Sequence, residues 1–483
     1  LKNALKFVSK KAILPPMGLL TIASLLPKEW PVRLVDTAVR PLRDRDIRWA
    51  DIVLLTAMFI QKKSADQIIA RCQQQGKKVV VGGPLFTSIP EFYTHVDHLV
   101  LKEGEITLPM FLNDLQNGSP RKLYTTHDKA DLKTTPLPRW DLVKMKKYGA
   151  MGIQYSRGCP FDCDFCDVTT LFGHRIRTKS IEQVLAELDH IYKAGWRREV
   201  FFVDDNFIGN TTRVKTHLLP AIIKWMEKKN YPFTFNTQAS INLADDEELM
   251  DLMVKAGFDC VFVGIETPNQ ESLSECNKVQ NRGRDLLACV QKIQRFGLQV
   301  QGGFILGFDH DDASIFDTVI QFIQHSGIVT AMVGLLNAPR GTKLFQRMMK
   351  EQRLLKVSTG DNTDCTINFI PQMGTENLIK GYQKVLDTIY SQRHYCRRIQ
   401  SFLKNYRLPP SKKFRPNLSE IRAFFKSIWH IGILSRGQIH YWKLIFWSLQ
   451  NPQYFQLTVK FSIYGYHFRK IFKNLQRQIN LAA

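Results

Sequence analysis

Apolar, β-branched runs recur along the first quarter of the chain, at residues 32–36, 52–56, 78–81 and 98–101. Longer segments with helical patterning separate them, notably 64–75 and 105–116. Runs that are apolar at every position, rather than alternating, predict strands buried on both faces. Their alternation with helices predicts a parallel, doubly wound α/β sheet over residues 1–125. Such a sheet ordinarily opens on a strand, whereas the first element here is a helix over 15–26, so the first strand is expected to be missing, lying upstream of Leu1. Two strands end in small or acidic residues, Gly82-Gly83-Pro84 and Glu103-Gly104-Glu105. Ligands of open parallel sheets sit at those carboxyl ends, although glycines there also serve as plain turn residues.

A polar connector at 126–147, holding Pro136 and Pro138, predicts a domain boundary. A second alternation occupies 148–355. Strands are expected at 152–156, 200–204, 234–240, 260–266, 300–306 and 331–336, and helices at 181–194, 218–228, 245–256 and 285–296. Six βα units in series predict a barrel-like sheet with its chemistry at the carboxyl ends of the strands. Residues 356–483 read as mostly helical, with apolar and basic residues mixed.

Charge sharpens that last region. The chain carries 67 Lys and Arg against 44 Asp and Glu, a net +23, and from Ser391 onward 17 bases face the single acid Glu420, or +16. The same stretch holds 18 of the 53 aromatic residues, among them Trp429, Tyr441, Trp442, Phe446, Trp447 and Phe455, interleaved with Arg436, Lys443 and Lys460. A basic aromatic segment on a near-neutral body suggests an anionic partner, a membrane surface or a nucleic acid. A solvated helical cap, or a lid closing an active site, fits the same composition. A hydrophobic fraction of 44% excludes wholesale disorder, and the longest apolar stretches, such as 52–60, are too short to span a bilayer as a helix.

Nine cysteines are too few for a disulfide scaffold, and an odd number cannot all pair. Residues 1–11 show no signal peptide, and a reducing cytoplasm is expected. Cys72, Cys260, Cys276, Cys289, Cys365 and Cys396 are scattered and expected to fill core space. The other three fall within eight residues, in Tyr155-Ser-Arg-Gly-Cys159-Pro-Phe-Asp-Cys163-Asp-Phe-Cys166. Three thiolates on one short loop can hold three corners of a cubane iron–sulfur cluster and leave the fourth iron open to a chelating small molecule. A zinc site of three Cys and one His, with His174 the nearest candidate, competes with that reading.

The Cys-x3-Cys-x2-Cys spacing, with Phe165 before the last cysteine, resembles the radical S-adenosylmethionine (SAM) superfamily. The resemblance implies a partial (β/α)6 barrel, a 4Fe-4S cluster on Cys159, Cys163 and Cys166, and SAM bound at the open iron. It further implies adenine contacts around Phe165 and SAM-orienting groups at Asp204, Asp205, Gln238, Ser240 and Glu266. A neutral amide, Gln238, stands where relatives carry an acid. The stretch Gly303-Phe-Ile-Leu-Gly307-Phe-Asp309 is similar to the family's glycine-containing motif beside the adenine.

A doubly wound unit directly before such a barrel resembles the cobalamin-binding class of that superfamily. The segments Pro15-Pro-Met-Gly18-Leu-Leu, Gly82-Gly83-Pro84 and Glu103-Gly104-Glu105 carry the likeness and imply cobalamin over those strand ends. No Asp-x-His-x-x-Gly sequence supplies a histidine lower ligand. Ser156-Arg-Gly-Cys-Pro-Phe-Asp-Cys, Phe202-Val-Asp-Asp-Asn-Phe-Ile-Gly-Asn210 and Met332-Val-Gly-Leu-Leu336 together resemble the branch containing hopanoid C-2 methylases. That branch implies a C-methyltransferase acting on a small hydrophobic substrate such as a polycyclic lipid. It also implies an electron donor such as flavodoxin or ferredoxin, while the cysteine usage and the basic aromatic tail predict a cytoplasmic protein at the periphery of a membrane's inner face. Two alternatives stay open: a radical SAM enzyme of non-methylating outcome, such as a cyclase, and a non-enzymatic metal-binding adaptor. A tRNA methylthiotransferase would need a second cluster site and a terminal RNA-binding barrel, neither of which the sequence shows, so a nucleic-acid partner is not expected.

Overall fold

The computed structural model describes residues 2–360, 365–408 and 418–482. The strand expected upstream of Leu1 and part of the basic tail lie outside the described residues. Four parallel strands, β1 (Ile52–Thr56), β2 (Lys78–Gly82), β3 (His98–Val100) and β4 (Leu123–Tyr124), form the first sheet in that order. Neighbouring positions on β2 point to opposite faces. Val79 and Val81 pack with Ile69, Cys72 and Phe86, whereas Val80 packs with Val100, Phe111 and Tyr124. Both faces are therefore covered, one of them by α1 (Met17–Leu25) and α2 (Gly104–Gln116), and the doubly wound expectation holds.

Two details differ from the sequence pattern. The two-residue β4 is too short to leave a pattern of its own. The apolar run at 32–36 forms no hydrogen-bonded strand: β-propensity alone does not make one, and no ladder joins the run to the free edge of β1. It runs instead beside β1, and together with α1 the two segments line a cavity of about 580 Å³.

The second sheet holds six parallel strands in the order β12-β11-β10-β9-β8-β5. Their ranges are β5 (Met151–Ile153), β8 (Glu199–Phe202), β9 (Thr234–Gln238), β10 (Phe258–Glu266), β11 (Gln299–Leu306) and β12 (Ala331–Leu335), while β6 (Ser156–Arg157) and β7 (Arg177–Thr178) form a small antiparallel pair. β5 and β12 do not pair, so the barrel is open, as expected. The register divides its two faces. Val261, Val263, Val300, Phe304, Val333 and Leu335 face the helices and are all buried, each worth about 1.5–3 kcal/mol in removal from water. On the inner face Gly264, Gly303 and Met332 lie side by side in register, with Phe262 beside Gln301 and Ile305 beside Gly334. Glycines there leave room inside the barrel, and Met332 stays 48% exposed.

The C-terminal region is helical, as expected. The edge of β12 is closed by α3 (Thr375–Ile389): the Tyr382 hydroxyl donates to Val333 O at 3.2 Å, and just past the helix the Tyr390 hydroxyl donates to Ala331 O at 2.6 Å. Covering an edge in this way removes a template for strand addition. In α4 (Gln392–Asn405) the buried Arg398 donates to the carbonyls of Ile389 and Val329. Two further helices, α5 (Leu418–Ser427) and α6 (Gln438–Gln450), precede the long α7 (Phe455–Ala482).

Lys460 of α7 lies close enough to Glu199, Asp259 and Cys260 to feel their charges, and these three stand at the N-terminal ends of β8 and β10. The other side of α7, through Val459 and Ile463, packs on Ala423, Ile431, Tyr441 and Ile445. The terminal helices thus cover the end of the barrel opposite the cysteine loop. They are not a lid over the strand ends where chemistry was expected. Among the described residues no helix is long and apolar enough to cross a membrane.

Candidate functional site

The cysteine loop leaves the barrel after β5, runs through the β6–β7 pair and is held from beneath by two neighbouring carboxylates. Asp204, fully buried, accepts from Tyr155 N at 3.1 Å and from both the amide and hydroxyl of Ser156. Burial pushes its carboxyl up to about 7. Asp205 accepts from Gly158 N at 2.9 Å. Gly158 has φ +102, and a Cβ there would stand 2.8 Å from Arg175 O, so the turn before Cys159 requires glycine. The resemblance gave Asp204 a role in orienting SAM, but both of its oxygens are engaged by the loop's own backbone and Ser156. It positions the loop and does not face open space.

Cys159, Cys163 and Cys166 carry free thiols on this loop. Burial raises all three above the ordinary thiol range, Cys166 to about 12. Bare thiols of that kind stay protonated at neutral pH, so a metal must displace the protons to bind. Among the described residues no three His, Cys, Asp or Glu side chains converge as a single-ion site. Three thiolates that each take a different iron need not converge on one point. His174, the candidate fourth zinc ligand, is exposed and lies 3.9 Å from Asp162.

Beside the loop lies a buried ion pair that the sequence pattern did not single out. Lys278 Nζ sits 2.6 Å from Glu266 Oε1 and 5.9 Å from the centre of the Phe165 ring. Gln280 Nε2 donates to Cys163 Sγ at 3.7 Å. Glu266 ends β10 at φ +63, in the left-handed region, and Asn281 Nδ2 holds that turn by donating to the carbonyls of Gly264 and Ile265. Lys278 and Gln280 sit in the connection beyond β10, where no strand-end register marks them. Their only sequence signal is polarity within a stretch that folds inward.

The other expected SAM residues divide into groups. Gln238 and Ser240 stand at the end of β9, where Asn206 Nδ2 donates to Ser240 Oγ at 3.1 Å and ties β9 to the β8 loop. The Phe165 ring lies 6.3 Å from the ring of Phe308, which brings the cysteine loop to the β11 end. Gly307, at φ +102, turns the chain there, and its N–H and that of Phe308 donate to the buried Asp311, whose carboxyl burial pushes up to about 6. Gly303 lies inside β11, not at its end, and a Cβ there would meet the Phe262 ring at 2.9 Å. Asp309 is bound by Arg353 through two hydrogen bonds of 2.6 and 2.8 Å. It serves an ion-pair network with Arg347 at 3.4 Å and does not reach toward the loop.

The strand ends of the first sheet face this loop. Arg157, two residues before Cys159, donates to Glu103 at 3.0 Å and to Glu105 at 2.9 Å. Arg177 grips Glu103 with two bonds of 2.7 Å. Burial opposes the charge of Glu105, but Arg157 beside it outweighs burial and holds the carboxyl below the usual range. A second link joins Arg340 to Glu91, and Gly360 abuts Phe59. These contacts close a cleft between the two sheets.

Of the residues expected to hold cobalamin, Glu103 and Glu105 are engaged by the barrel's arginines. A Cβ on Gly82 would meet Val100 O at 2.5 Å, and one on Gly83 would meet Thr56 Oγ1 at 2.1 Å, so both glycines serve close packing. Pro84 opens the short helix Pro84–Ser88, and Gly104 accommodates Ile22. Gly18 has nothing within 4 Å of a Cβ position, and Met58 and Ile60, just past β1, are exposed. The open space at Gly18 and the exposed apolar side chains past β1 each leave room for a large flat ligand.

The model of the B12 binding domain matches residues 7–112, that of the radical SAM superfamily residues 153–323, and a domain of unknown function, DUF4070, residues 342–481. An uncharacterized methyltransferase of Synechocystis sp. is 40% identical over 99% of this chain and 90% of its own length. The hopanoid C-2 methylase of Rhodopseudomonas palustris is 33% identical over 89% of this chain and 83% of its own length. The cobalamin-dependent radical SAM enzyme OxsB, solved with aqua-cobalamin and SAM bound, shares the fold at TM-score 0.64 and 17% identity, over 98% of this chain and 79% of that one.

Proposed function

Since the chain belongs to the cobalamin-dependent radical SAM methyltransferase family, we propose that it transfers a methyl group to an unactivated carbon of an apolar substrate held inside the open barrel. The enzyme uses a 4Fe-4S cluster, SAM and cobalamin. When bound, the cluster supplies the electron that splits SAM into methionine and a 5′-deoxyadenosyl radical, and cobalamin carries the methyl group. Cys159, Cys163 and Cys166 would hold the cluster. The Lys278–Glu266 pair offers an ammonium and a carboxylate beside it, suited to the carboxylate and hydroxyl groups of SAM. Asp204 and Asp205 fix the loop.

One observation carries the reading: Arg157 ties the cysteine loop directly to Glu103 and Glu105 at the strand ends of the first sheet. One cleft therefore serves both cofactor-binding units, which methyl transfer between them requires. The apolar positions of the inner face, Phe262, Ile305 and Met332 beside glycines, support a largely apolar substrate, with Gln238 and Gln301 flanking Phe262 as polar contacts. A polycyclic lipid is the finer form of this reading, and peripheral association with a membrane surface belongs to it.

The test is anaerobic turnover of reconstituted, reduced protein with SAM carrying a deuterated methyl group. Formation of both 5′-deoxyadenosine and S-adenosylhomocysteine is expected, and both products should vanish in Cys163→Ala. Deoxyadenosine without S-adenosylhomocysteine would replace methylation with another radical outcome.

A further inference from the structure

The C-terminal helices carry an outward face that none of the described elements covers. Along α5 and the π turn that extends it (Ile428–Ile433), Ile421, Phe425, Trp429 and Ile433 are exposed at four-residue spacing. On α6, Ile439 and Phe446 are exposed as well. Trp442 connects the two rows: its indole N–H donates to Gly432 O at 2.9 Å, and its ring lies 6.2 Å from that of Phe446. Tyr441 is buried instead, and Lys460 of α7 turns toward the barrel. The composition of the tail therefore sorts into an inner, packing set and an outer, unpartnered one.

Bases border the outer set. Arg422, Arg436 and Lys443 are exposed and Lys426 is half-buried, against the single acid Glu420 between 418 and 450. A monomeric surface rarely leaves large apolar side chains in contiguous rows. Apolar rows with Trp and Phe, rimmed by Lys and Arg on helices too polar to insert across a bilayer, match the side chains of interfacial helices. We propose that the α5–α6 face is a docking surface for an anionic lipid bilayer, Phe425, Trp429 and Phe446 entering the interface and Arg422, Arg436 and Lys443 meeting lipid phosphates. The proposal names the face and the lipid charge for the membrane association in the functional reading above, and in that respect rests on it. Charge complementarity selects this occupant over a second copy of the chain, since two such faces would bring like charges together.

The test is flotation of the full-length holoprotein with vesicles of phosphatidylcholine alone or with one-third phosphatidylglycerol. The protein should float with the anionic vesicles, weakly or not at all with the neutral ones, and the binding should weaken with salt. Phe425→Ser/Trp429→Ser/Phe446→Ser should lower the vesicle partition coefficient about tenfold or more, while SAM cleavage in solution stays unchanged and shows the fold intact. Arg422→Gln/Arg436→Gln/Lys443→Gln, which removes no apolar contact, should reduce the preference for anionic vesicles about tenfold or more. Failure of the wild type to float, or equal flotation of all three proteins, overturns the proposal. So does a wild-type dimer in light scattering that the serine variant converts to a monomer. SAM cleavage is read separately, so loss of docking with cleavage intact leaves the enzymatic assignment standing, and loss of cleavage with docking intact does the reverse.

Discussion

Lys278 Nζ and Glu266 Oε1 meet at 2.6 Å directly above Gly264, and a Cβ on that glycine would stand 2.2 Å from the carboxylate and 2.9 Å from the ammonium. The glycine therefore makes room for a buried charge pair next to the cysteine loop. Removing one member of such a pair leaves the other charge unpaired in a poorly solvated place, at a cost of about 3–5 kcal/mol. Lys278→Met should lower the midpoint of denaturant unfolding accordingly. Gly264→Ala should displace both side chains and weaken SAM binding about tenfold or more by calorimetry. Unchanged SAM affinity in Gly264→Ala would remove the pair from the binding site.

The joint between the two sheets gives a second expectation. Arg177→Met removes two bonds to Glu103, whose carboxylate is almost wholly buried. Among the described residues Arg157 then remains as its one ion-pair partner, with Lys129 near enough to feel its charge. The first unit should loosen against the barrel, with faster proteolysis within 126–147 and weaker retention of cobalamin on a desalting column. Arg139→Met, at an exposed local pair with Asp141, should change neither, since such pairs contribute about 0–1 kcal/mol.

Glycines of the first unit separate packing from ligand approach. Gly83→Ala forces a side chain into φ +91 and against Thr56 Oγ1, and should destabilise by about 1–3 kcal/mol. Gly18→Ala, in the first turn of α1 with open space around it, should instead stabilise by about 0.5–1 kcal/mol through helix propensity. If Gly18 is free because cobalamin approaches there, the same variant binds the cofactor more weakly while melting higher. Equal affinity would assign the glycine to chain geometry alone.

Asp204 predicts a pH dependence of stability. Burial pushes its carboxyl up to about 7 in the fold, against about 3.9 for an unperturbed aspartate. Between those values the folded chain keeps a proton that the unfolded chain has released, so stability falls as pH rises through the window, by at most about 1.4 kcal/mol per unit. Asp204→Asn cannot titrate. Denaturant unfolding of the apoprotein from pH 5 to 7 should show wild type losing stability relative to this variant. Parallel curves would mean that the carboxylate stays ionised.

Much of this architecture was legible in the sequence, because parallel strands buried on both faces write continuous apolar runs and the cysteine spacing is local. Segment 32–36 misled for the same reason: its residues favour a strand, but pairing depends on a neighbour that composition cannot report. Asp309 and Asp204 sit in register with ligand-binding positions yet are taken by Arg353 and by the loop's backbone, partners set by tertiary approach. Lys278, Gln280 and Asp311 went unmarked because each reaches the site from a connection rather than from a strand end. The aromatics of the tail looked equivalent in sequence, and only packing on α7 sorted Tyr441 inward and Trp429 outward.

The position of α7 has a consequence for traffic. It closes the N-terminal end of the barrel, and the α5–α6 face lies outside it, on the far side from the cysteine loop. A molecule moored to a bilayer by that face holds its barrel mouth toward the aqueous phase. The lipid surface then serves as an anchorage rather than as the doorway, and an apolar substrate must be handed over from water or from a carrier instead of sliding in from the leaflet beneath.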